Sequence, residues 1–444
     1  MNAFLIQNIH EKKYKEVRQE LLEMNAVNIS EFIETLDEKD MVIIFRMLPK
    51  DLAVDVFSYL SAETQVVIIS AITERETRLI VEELYFDDMI DMLEEMPAHL
   101  VKKILKDTKE DERRLINQFL SYPEFSAGSL MTIEYVDLRK NMTVKAAMEH
   151  IKQVNIDTET IYTCYVIDDN RKLLGLVSLR KIVTSPDDVL IDDIMNTNII
   201  VANTLDDQEY VASLFKKYDL NILPVTDKES RLTGIITIDD IIDVIDQENT
   251  EDFQKMAGLT PSDLGYFETP FMKMAKNRIL WLMVLMVSAT FTGRIIQRYE
   301  EVLQSVVILA AFIPMLMDTG GNAGAQSSTL VIRGLALGDI KPNEVKRVLF
   351  KELTVSTVVA IGLTTINFIR IYFLEKVEIR IALTVTITLF VTIILAKLVG
   401  GLLPLIANKL KLDPAIMASP LITTVVDAFA LVIYFTVAVW LLGI

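Results

Sequence analysis

The sequence predicts an α-helical membrane protein with several domains, and three observations lead to this fold class. Charge is segregated along the 444 residues: residues 1–270 carry a net charge of −24 and residues 271–444 one of +6. The mean hydropathy is nevertheless positive, at +0.34. Five apolar runs follow one another in the second half, and a segment of the first half is duplicated. Together these features predict a stack of short helices, a duplicated α/β module, a connecting helix and five membrane-spanning helices.

Residues 1–130 are rich in Leu, Ile, Glu and Lys and have almost no glycine. Amphipathic units such as "SAETQVVIISAIT" and "ERETRLIVEEL" recur at intervals of about a dozen residues, which is typical of an α-superhelix. Within this stack, Asp87 and Asp91 are four residues apart and therefore share one face of a helix. Taken alone, this pair is more simply explained as a solvated helix face.

Residues 131–250 contain two similar segments, "YTCYVIDDNRKLLGLVSLRKIV" and "NILPVTDKESRLTGIITIDDIIDVI". Each reads as a strand, a turn, a second strand with a glycine, and a helix. The pair resembles a tandem CBS module, a regulatory α/β unit that often binds adenosine nucleotides such as ATP through a Ser/Thr-x-x-Asp element. The second copy keeps that element as Thr237 and Asp240. The first copy has Lys181 in place of the Asp, so the resemblance implies weakened nucleotide binding.

An acidic stretch joins the duplicated module to the apolar half. Seven of the fourteen residues from Asp239 to Asp252 are acidic. Divalent cations that screen this repulsion are the preferred interpretation, and a solvated acidic linker is the alternative. We expect residues 251–270 to form the connecting, or plug, helix before the transmembrane domain of residues 271–444.

The apolar runs predict five spans, because a bilayer core requires about 20 helical residues. Nine Lys and Arg residues flank one side of these spans and five flank the other. This bias predicts a cytosolic N-terminus and an external C-terminus. The single cysteine, Cys164, excludes an intrachain disulfide and favours a cytosolic location for the acidic half.

Polar residues interrupt two of the spans. Asp427 lies in the fifth, with Thr423 and Thr424 on the same helical face. The second contains "PMLMDTGGNAGAQ", in which Gly321 and Asn322 follow Pro314. We expect Pro314 to free a carbonyl, and the glycines to permit close packing or local unwinding. These residues predict the wall of a polar passage, and oxygen ligands suit Mg²⁺, Ca²⁺ or Mn²⁺. The alternative is that Asp427 pairs with Lys397 for packing.

The order of the domains and the motifs "PMLMDTGGNAGAQ", "LDPA" and "PLITTVVDAF" resemble the MgtE family of magnesium channels over essentially the whole chain. The resemblance implies a homodimer in the cell membrane with a pore on its two-fold axis. It assigns Asp427 as the pore aspartate, Asn322 to the GGN signature and Asp413 to a cytosolic-side magnesium site. It also implies regulatory magnesium sites, whose matching carboxylates are Glu209, Asp219, Asp240, Asp243, Glu248, Glu251 and Asp252. Asp87 and Asp91 match less closely, and Asp55 only loosely.

The resulting hypothesis is Mg²⁺ uptake down the electrochemical gradient through a channel that closes when cytosolic Mg²⁺ binds between the acidic domains. Transport of Mn²⁺ or Co²⁺ is one alternative. Transport of an anion or organic solute is another, and it would need basic residues at mid-membrane, for which Lys397 and Arg333 are candidates. The acidic surface argues against a nucleic-acid partner. The sequence has no G-x-x-x-x-G-K-[ST], no H-E-x-x-H and no Cys/His couple, which argues against an enzyme.

Overall fold

The structure is a computed structural model that describes residues 2–154, 158–262, 265–267, 269–417 and 419–443. The chain forms two compact units, Met1–Ile245 and Asp246–Ile444. The first unit contains the short helices and the duplicated module, and the second contains the long apolar helices.

The first unit begins with a stack of short helices, each of eight to ten residues. Asn25, Asp37 and Thr73 cap three of them, each accepting a hydrogen bond from a backbone N–H of the first turn. Their apolar faces form one core with Ile29 and Phe32 completely buried. The predicted helical stack is confirmed. Its helices are α1 Asn2–His10, α2 Tyr14–Leu21, α3 Ala26–Glu34, α4 Glu38–Met47, α5 Lys50–Ser58, α6 Ala62–Ala71, α7 Glu74–Val81, α8 Phe86–Glu95, α9 Ala98–Asp107, α10 Glu110–Phe119 and the single turn α11 Ala127–Leu130.

The duplicated module forms two three-stranded sheets of the same topology. The first copy contains β1 Tyr135–Arg139, α12 Val144–Val154, β2 Thr160–Ile167, β3 Leu173–Ser178, α13 Leu179–Thr184 and α14 Ile191–Ile194. The second contains β4 Ala202–Asn203, α15 Gln208–Tyr218, β5 Ile222–Thr226, β6 Leu232–Thr237 and α16 Ile238–Met256. In each copy the first two strands are parallel and the last two antiparallel.

The glycines of the two copies occupy the same register. Val166 pairs with Gly175 in one sheet, and Val225 pairs with Gly234 in the other. A Cβ atom on Gly234 would lie 2.6 Å from the backbone oxygen of Thr132, so the close approach of backbone requires glycine there. The repeat seen in the sequence is therefore a repeat of structure.

The acidic connecting helix differs in extent from the prediction over residues 251–270. Helix α16 begins at Ile238, directly after β6, and ends at Met256. Gly258 then has φ +70°, a left-handed conformation that ends helices and favours glycine. The predicted segment also includes residues 263, 264 and 268, which lie outside the described part of the chain.

The second unit contains five helices that are long and apolar enough to cross a membrane, as predicted. Helix α19 packs against α21 and α22, α20 packs against α21, and α17 packs against α22. The helices are α17 Phe271–Arg298, the short α18 Glu300–Ser305, α19 Ile313–Ala336, α20 Val345–Ile369, α21 Ile379–Lys409 and α22 Ser419–Leu442. Short 3₁₀ segments cover Val307–Phe312 and Pro414–Met417, and a π-helical turn covers Arg370–Leu374.

The second span is a continuous helix through its glycines, so of the two roles expected for them, close packing is found and local unwinding is not. Pro314 lies in the first turn of α19, where a helix leaves N–H groups unpaired in any case, and so it frees no carbonyl. The glycines serve packing instead. A Cβ on Gly320 would lie 2.8 Å from Cγ2 of Thr392, and one on Gly324 would lie 2.6 Å from Cγ2 of Ile422. The 3₁₀ break precedes the motif, at Val307–Phe312.

Candidate functional site

The polar stretches of the second and fifth spans meet where α19 packs against α22. A Cβ on Gly321 would lie 2.8 Å from Cγ2 of Thr423, so this glycine allows the two helices to approach closely. Asp318, Asn322 and Gln326 are spaced four residues apart on α19 and share an exposed helical face. The Asn322 amide donates to the backbone oxygen of Asp318 at 2.9 Å and to its Oδ1 at 3.0 Å.

Asp427 lies on α22 within electrostatic range of Asp318 and is partly exposed. The hydroxyls of Thr423 and Thr424 donate to the carbonyl of Pro420 at 2.9 and 3.1 Å, which leaves oxygen lone pairs available on the same helix. The arrangement is therefore two carboxylates beside an amide and two hydroxyls. Among the described residues, neither Asp318 nor Asp427 forms an ion pair with a base, so an oxygen-seeking cation would complete the charge balance.

Sequence reasoning gave no role to Asp318, although its position four residues before Asn322 was a usable signal. The alternative in which Asp427 pairs with Lys397 is wrong, because Lys397 donates to Gln326 instead. Pro314 lies exposed at the start of α19, one helical turn before Asp318 on the chain. The sequence thus indicated the polar residues of α19 and α22 that lie together, but not Asp318 as a second carboxylate among them.

A group of carboxylates, here called the acidic cluster, lies in the first unit. It consists of Asp87, Asp88 and Asp91 of α8, Glu134 and Glu159 before strands β1 and β2, and Asp240 of α16. Burial is the main cause that raises the pKa of each group, and repulsion from the other carboxylates adds to it. The pKa is raised to about 6 for Asp87 and Asp88, to about 7 for Asp91, Glu134 and Asp240, and to about 8 for Glu159.

Two oxygens of the acidic cluster are buried without a hydrogen-bond partner in the described structure: Oδ1 of Asp87 and Oε2 of Glu159. A buried, unpaired carboxylate oxygen is costly, and a bound cation would remove that cost. No base of the described chain forms an ion pair with these residues. Thr237 donates to Oδ2 of Asp240 at 2.7 Å, so the Thr-x-x-Asp element of the second copy is joined to the cluster.

The structure places the predicted regulatory residues in different surroundings. Asp87, Asp91 and Asp240 lie together in the acidic cluster, whereas Asp55 lies exposed on α5. Glu209 is in the first turn of α15, Asp219 ends that helix, and Asp243 is exposed on α16. Sequence reasoning missed Asp88, Glu134 and Glu159. The last two directly precede paired parallel strands and are joined by a backbone hydrogen bond of 2.9 Å.

A second group of charges, here called the lysine-centred cluster, lies in the second unit. Lys255 contacts Glu251 at 2.5 Å and Asp413 at 2.7 Å. Burial lowers the pKa of Lys255, but the hydrogen bonds with Asp413 and Glu251 outweigh it and raise that pKa to about 12. Burial, and then repulsion from Asp413, raises the pKa of Asp252.

Three predicted cation ligands, Glu251, Asp252 and Asp413, therefore converge, but around an ammonium group. Sequence reasoning missed Lys255, although its position four residues after Glu251 on a helix predicts an ion pair. Glu248 lies partly buried on the same helix. Within the described residues, no three His, Cys, Asp or Glu side chains are arranged to hold a metal ion.

Comparison with known proteins covers nearly the whole chain. Residues 313–437 match the MgtE family, described as a divalent cation transporter, and residues 24–125 match the MgtE intracellular N domain. Residues 127–187 and 191–247 match the CBS domain. The magnesium transporter MgtE of Thermus thermophilus is 34% identical over 435 residues, which is 97% of this chain and 96% of the relative. That of Bacillus subtilis is 32% identical over 430 residues, covering 97% and 95%.

Two solved structures resemble the first part of the chain. One is the soluble part of a magnesium transporter, with a TM-score of 0.51 and 33% identity, covering 56% of this chain and 97% of that one. The other is the cytosolic domain of the Mg²⁺ channel MgtE in complex with ATP, with a TM-score of 0.52 and 33% identity, covering 55% and 100%. With near-complete coverage of its relatives and five apolar helices behind a soluble N-terminal half, this multi-pass membrane protein belongs to the MgtE family of divalent cation transporters.

Proposed function

We propose that the protein is a channel for Mg²⁺ uptake, with the ion pathway along the seam of α19 and α22. The observation that carries this proposal is the meeting of Asp427, Asp318 and Asn322, which come from stretches of chain about a hundred residues apart. The magnesium transport attributed to the full-length relatives supports the choice of ion.

The chemistry of the seam suits a hydrated dication. Mg²⁺ loses water reluctantly and prefers octahedral oxygen ligands, so a few carboxylates can hold the ion through its water shell. Asp427 and Asp318 supply the charge, and the Asn322 amide oxygen orients water. An inside-negative membrane potential then drives the ion inward, with a gain of about 2.3 kcal/mol per elementary charge per 100 mV.

The test is Mg²⁺ uptake into vesicles that contain the purified protein. Asp427→Asn keeps the shape of the side chain and removes its charge, so we expect it to lose most of the uptake. Asp339→Asn, an exposed loop position with the same chemical change, serves as the matched control and should transport normally. Normal flux in Asp427→Asn would reject the pathway.

Current recorded with Mg²⁺ as the only permeant ion distinguishes a channel from a carrier. Uptake of Mn²⁺, Co²⁺ and sulfate into the same vesicles tests the alternative substrates.

We further propose that cytosolic Mg²⁺ closes the channel by binding at the acidic cluster, whose carboxylates would rearrange around the ion, since no three of them are arranged to hold a metal in the described structure. The unpartnered oxygens of Asp87 and Glu159 support this, because a bound dication would satisfy them and neutralise the repulsion. A ligand shifts a conformational equilibrium only by its preference for one state. In a variant with Asp91→Asn and Glu159→Gln, flux should therefore differ less between Mg²⁺-free and Mg²⁺-rich solution on the side of the soluble half. The exposed Asp169→Asn is the control, and an unchanged Mg²⁺ response in the double variant would reject the proposal.

Two partners belong to this proposal. A homodimer would place two copies of the carboxylate seam about one axis, and light scattering of the purified protein would exclude it by giving the mass of one chain.

Binding of ATP to the duplicated module is supported by the solved complex of a relative. The bond from Thr237 to Asp240 assigns that element to the acidic cluster, so we expect ATP affinity to depend on whether Mg²⁺ is present. Calorimetric titration with equal ATP affinity in both conditions would reject that dependence.

A further inference from the structure

Two ionisable side chains, one on α20 and one on α21, are buried among the membrane-spanning helices beside α19. Glu352 of α20 is 9% exposed and Lys397 of α21 is 5% exposed. Each contacts one of two adjacent residues of α19. Ser327 donates to Oε2 of Glu352 at 2.6 Å, and Lys397 donates to Oε1 of Gln326 at 3.5 Å. Ionisable groups buried among membrane-spanning helices are costly, so the presence of Glu352 and Lys397 points to a role in the ion pathway.

The two contacts reach different faces of α19. Gln326 lies on the exposed face that carries Asp318 and Asn322, whereas Ser327 is 1% exposed and faces the interior of the protomer. Lys397 therefore contacts Gln326, a residue of the proposed pathway wall, from the interior side of α19. Glu352 is held on the inner side.

Glu352 lies close enough to Lys397 to offset part of its field. Lys397 and Gly401 are four residues apart on one face of α21, and a Cβ on Gly401 would lie 3.0 Å from Cγ of Glu352. Glu352 thus packs about one helical turn from Lys397. In the described part of the chain, no carboxylate is within ion-pair distance of the Lys397 ammonium. A charge that is not neutralised by contact acts over several ångströms in a low-dielectric interior.

We propose that Lys397 is a positioning residue of the ion pathway, whose positive charge on the interior side of Gln326 weakens the binding of a cation at the level of Gln326. The inference rests on the proposed function. Asp318 and Asp427 attract the dication, but conduction also requires that the ion leave. A fixed positive charge about 12 Å along α19 from Asp318, two helical turns away, opposes tight binding on the way past Gln326, and its effect on a dication is twice that on a monovalent ion.

The experiment measures the initial rate of Mg²⁺ uptake against Mg²⁺ concentration in vesicles that contain the full chain. Lys397→Met keeps the length of the side chain and removes the charge. We expect the KM for Mg²⁺ to fall about three- to tenfold and the maximal rate to fall with it, because the ion is held longer. Lys397→Arg keeps the charge and should retain a KM within about twofold of the wild type. Lys397 has no carboxylate within ion-pair distance in the described chain, so its removal breaks no contact ion pair, and folding of the Met variant is expected.

Glu352→Gln tests whether removing a negative charge shifts KM in the opposite direction to removing the positive charge of Lys397. The Gln side chain still accepts the hydrogen bond from Ser327, but the negative charge that offsets Lys397 is gone, so KM should rise. Damage to packing would lower the maximal rate in both variants without opposite shifts of KM. The inference is overturned if the wild type transports Mg²⁺ and Lys397→Met leaves KM unchanged, or if both variants shift KM in the same direction. A wild type that takes up no Mg²⁺ would overturn the proposed function and this inference together, whereas transport with unmoved KM would overturn only the inference.

Discussion

Single residues decide how closely α19 approaches its neighbours. Gly324 shows this most directly, because an added Cβ would lie 2.6 Å from Cγ2 of Ile422 and 3.1 Å from the backbone oxygen of Ala396. It would thus contact α22 and α21 at once. Gly362, in the middle of α20, is a natural comparison because a Cβ there meets nothing within 4 Å.

Gly324→Ala should therefore destabilise the membrane half by about 1–3 kcal/mol, the usual cost of an extra methyl in a packed core. Gly362→Ala should be neutral or stabilising by up to about 1 kcal/mol, because alanine is the better helix former. Thermal unfolding in detergent, followed by tryptophan fluorescence, measures both effects, since the two tryptophans, Trp281 and Trp440, lie in the membrane half. Equal unfolding temperatures for the two variants would contradict the packing role of Gly324.

The residues that could be recognised from the sequence are those whose chemistry conflicts with their surroundings. A carboxylate such as Asp427 in an apolar run is conspicuous without any structure, and so is the glycine-rich stretch with Asn322. Glu134 and Glu159 were not recognised because their importance depends on neighbours that are distant in the chain, whereas Asp318 was given no role although Asn322, its hydrogen-bond partner, follows only four residues later. Pro314 was misjudged for a local reason, since the effect of a proline depends on its distance from the start of the helix.

At the scale of elements, α16 is the informative case. Its acidic composition was visible in the sequence, but its start depended on where β6 ends, and its end on the left-handed Gly258. Within the second unit, Lys255 of this helix connects Glu251 with Asp413 of the segment between α21 and α22. The connection is an ion pair of partly buried groups, which holds the end of the helix without requiring a metal ion.

Lys255→Met should release this end of α16 when Mg²⁺ is absent. Three carboxylates, Glu251, Asp252 and Asp413, would then repel one another without compensation, and we expect a loss of about 1 kcal/mol in local stability after allowance for solvent screening. Hydrogen exchange of peptides from residues 246–256 should rise about fivefold in chelator, and added Mg²⁺ should restore much of the protection.

Lys411→Met is the matched control, because Lys411 is an exposed lysine in the segment after α21 that takes no part in the ion pair of Lys255 in the described structure. Its exchange should equal that of the wild type. If Lys255→Met also exchanged at the wild-type rate in chelator, the ion pair would have no part in holding α16.

At the scale of the whole molecule, the segregation of charge predicted the division into a soluble and a membrane half, and the duplication predicted the paired sheets. The acidic cluster could not be predicted as a unit, because it joins α8, the starts of two strands and α16, which only the fold brings together. Its physical consequence is a repulsion among buried carboxylates in the first unit, which depends on pH.

The sign of the pH dependence follows from the raised pKa values. The carboxyls of the acidic cluster titrate at about 6 to 8 in the folded chain, but carboxyls in an unfolded chain titrate near 4. Between these values the folded state binds more protons, so stability falls as pH rises from about 4 to about 8 and levels off above that. Because the groups are coupled and partly solvated, we expect a total loss of only about 2–3 kcal/mol, or about 5–10 °C in unfolding temperature for a unit of this size.

Calorimetry of the full chain in chelator at pH 5.5 and pH 8.5 measures this loss. Both tryptophans lie in the second unit, so the transition of the first unit is the one with no accompanying change in tryptophan fluorescence. Mg²⁺ binds the deprotonated carboxylates, so it should raise this transition more at pH 8.5 than at pH 5.5. Glu159→Gln removes the group with the highest pKa of the cluster and should reduce both the pH dependence and the Mg²⁺ effect, whereas Asp169→Asn, an exposed carboxylate of the same unit, should change neither. A transition that rises with pH in chelator would show that the acidic cluster is not held under repulsion, and the proposed Mg²⁺-dependent closure would then lose its driving force.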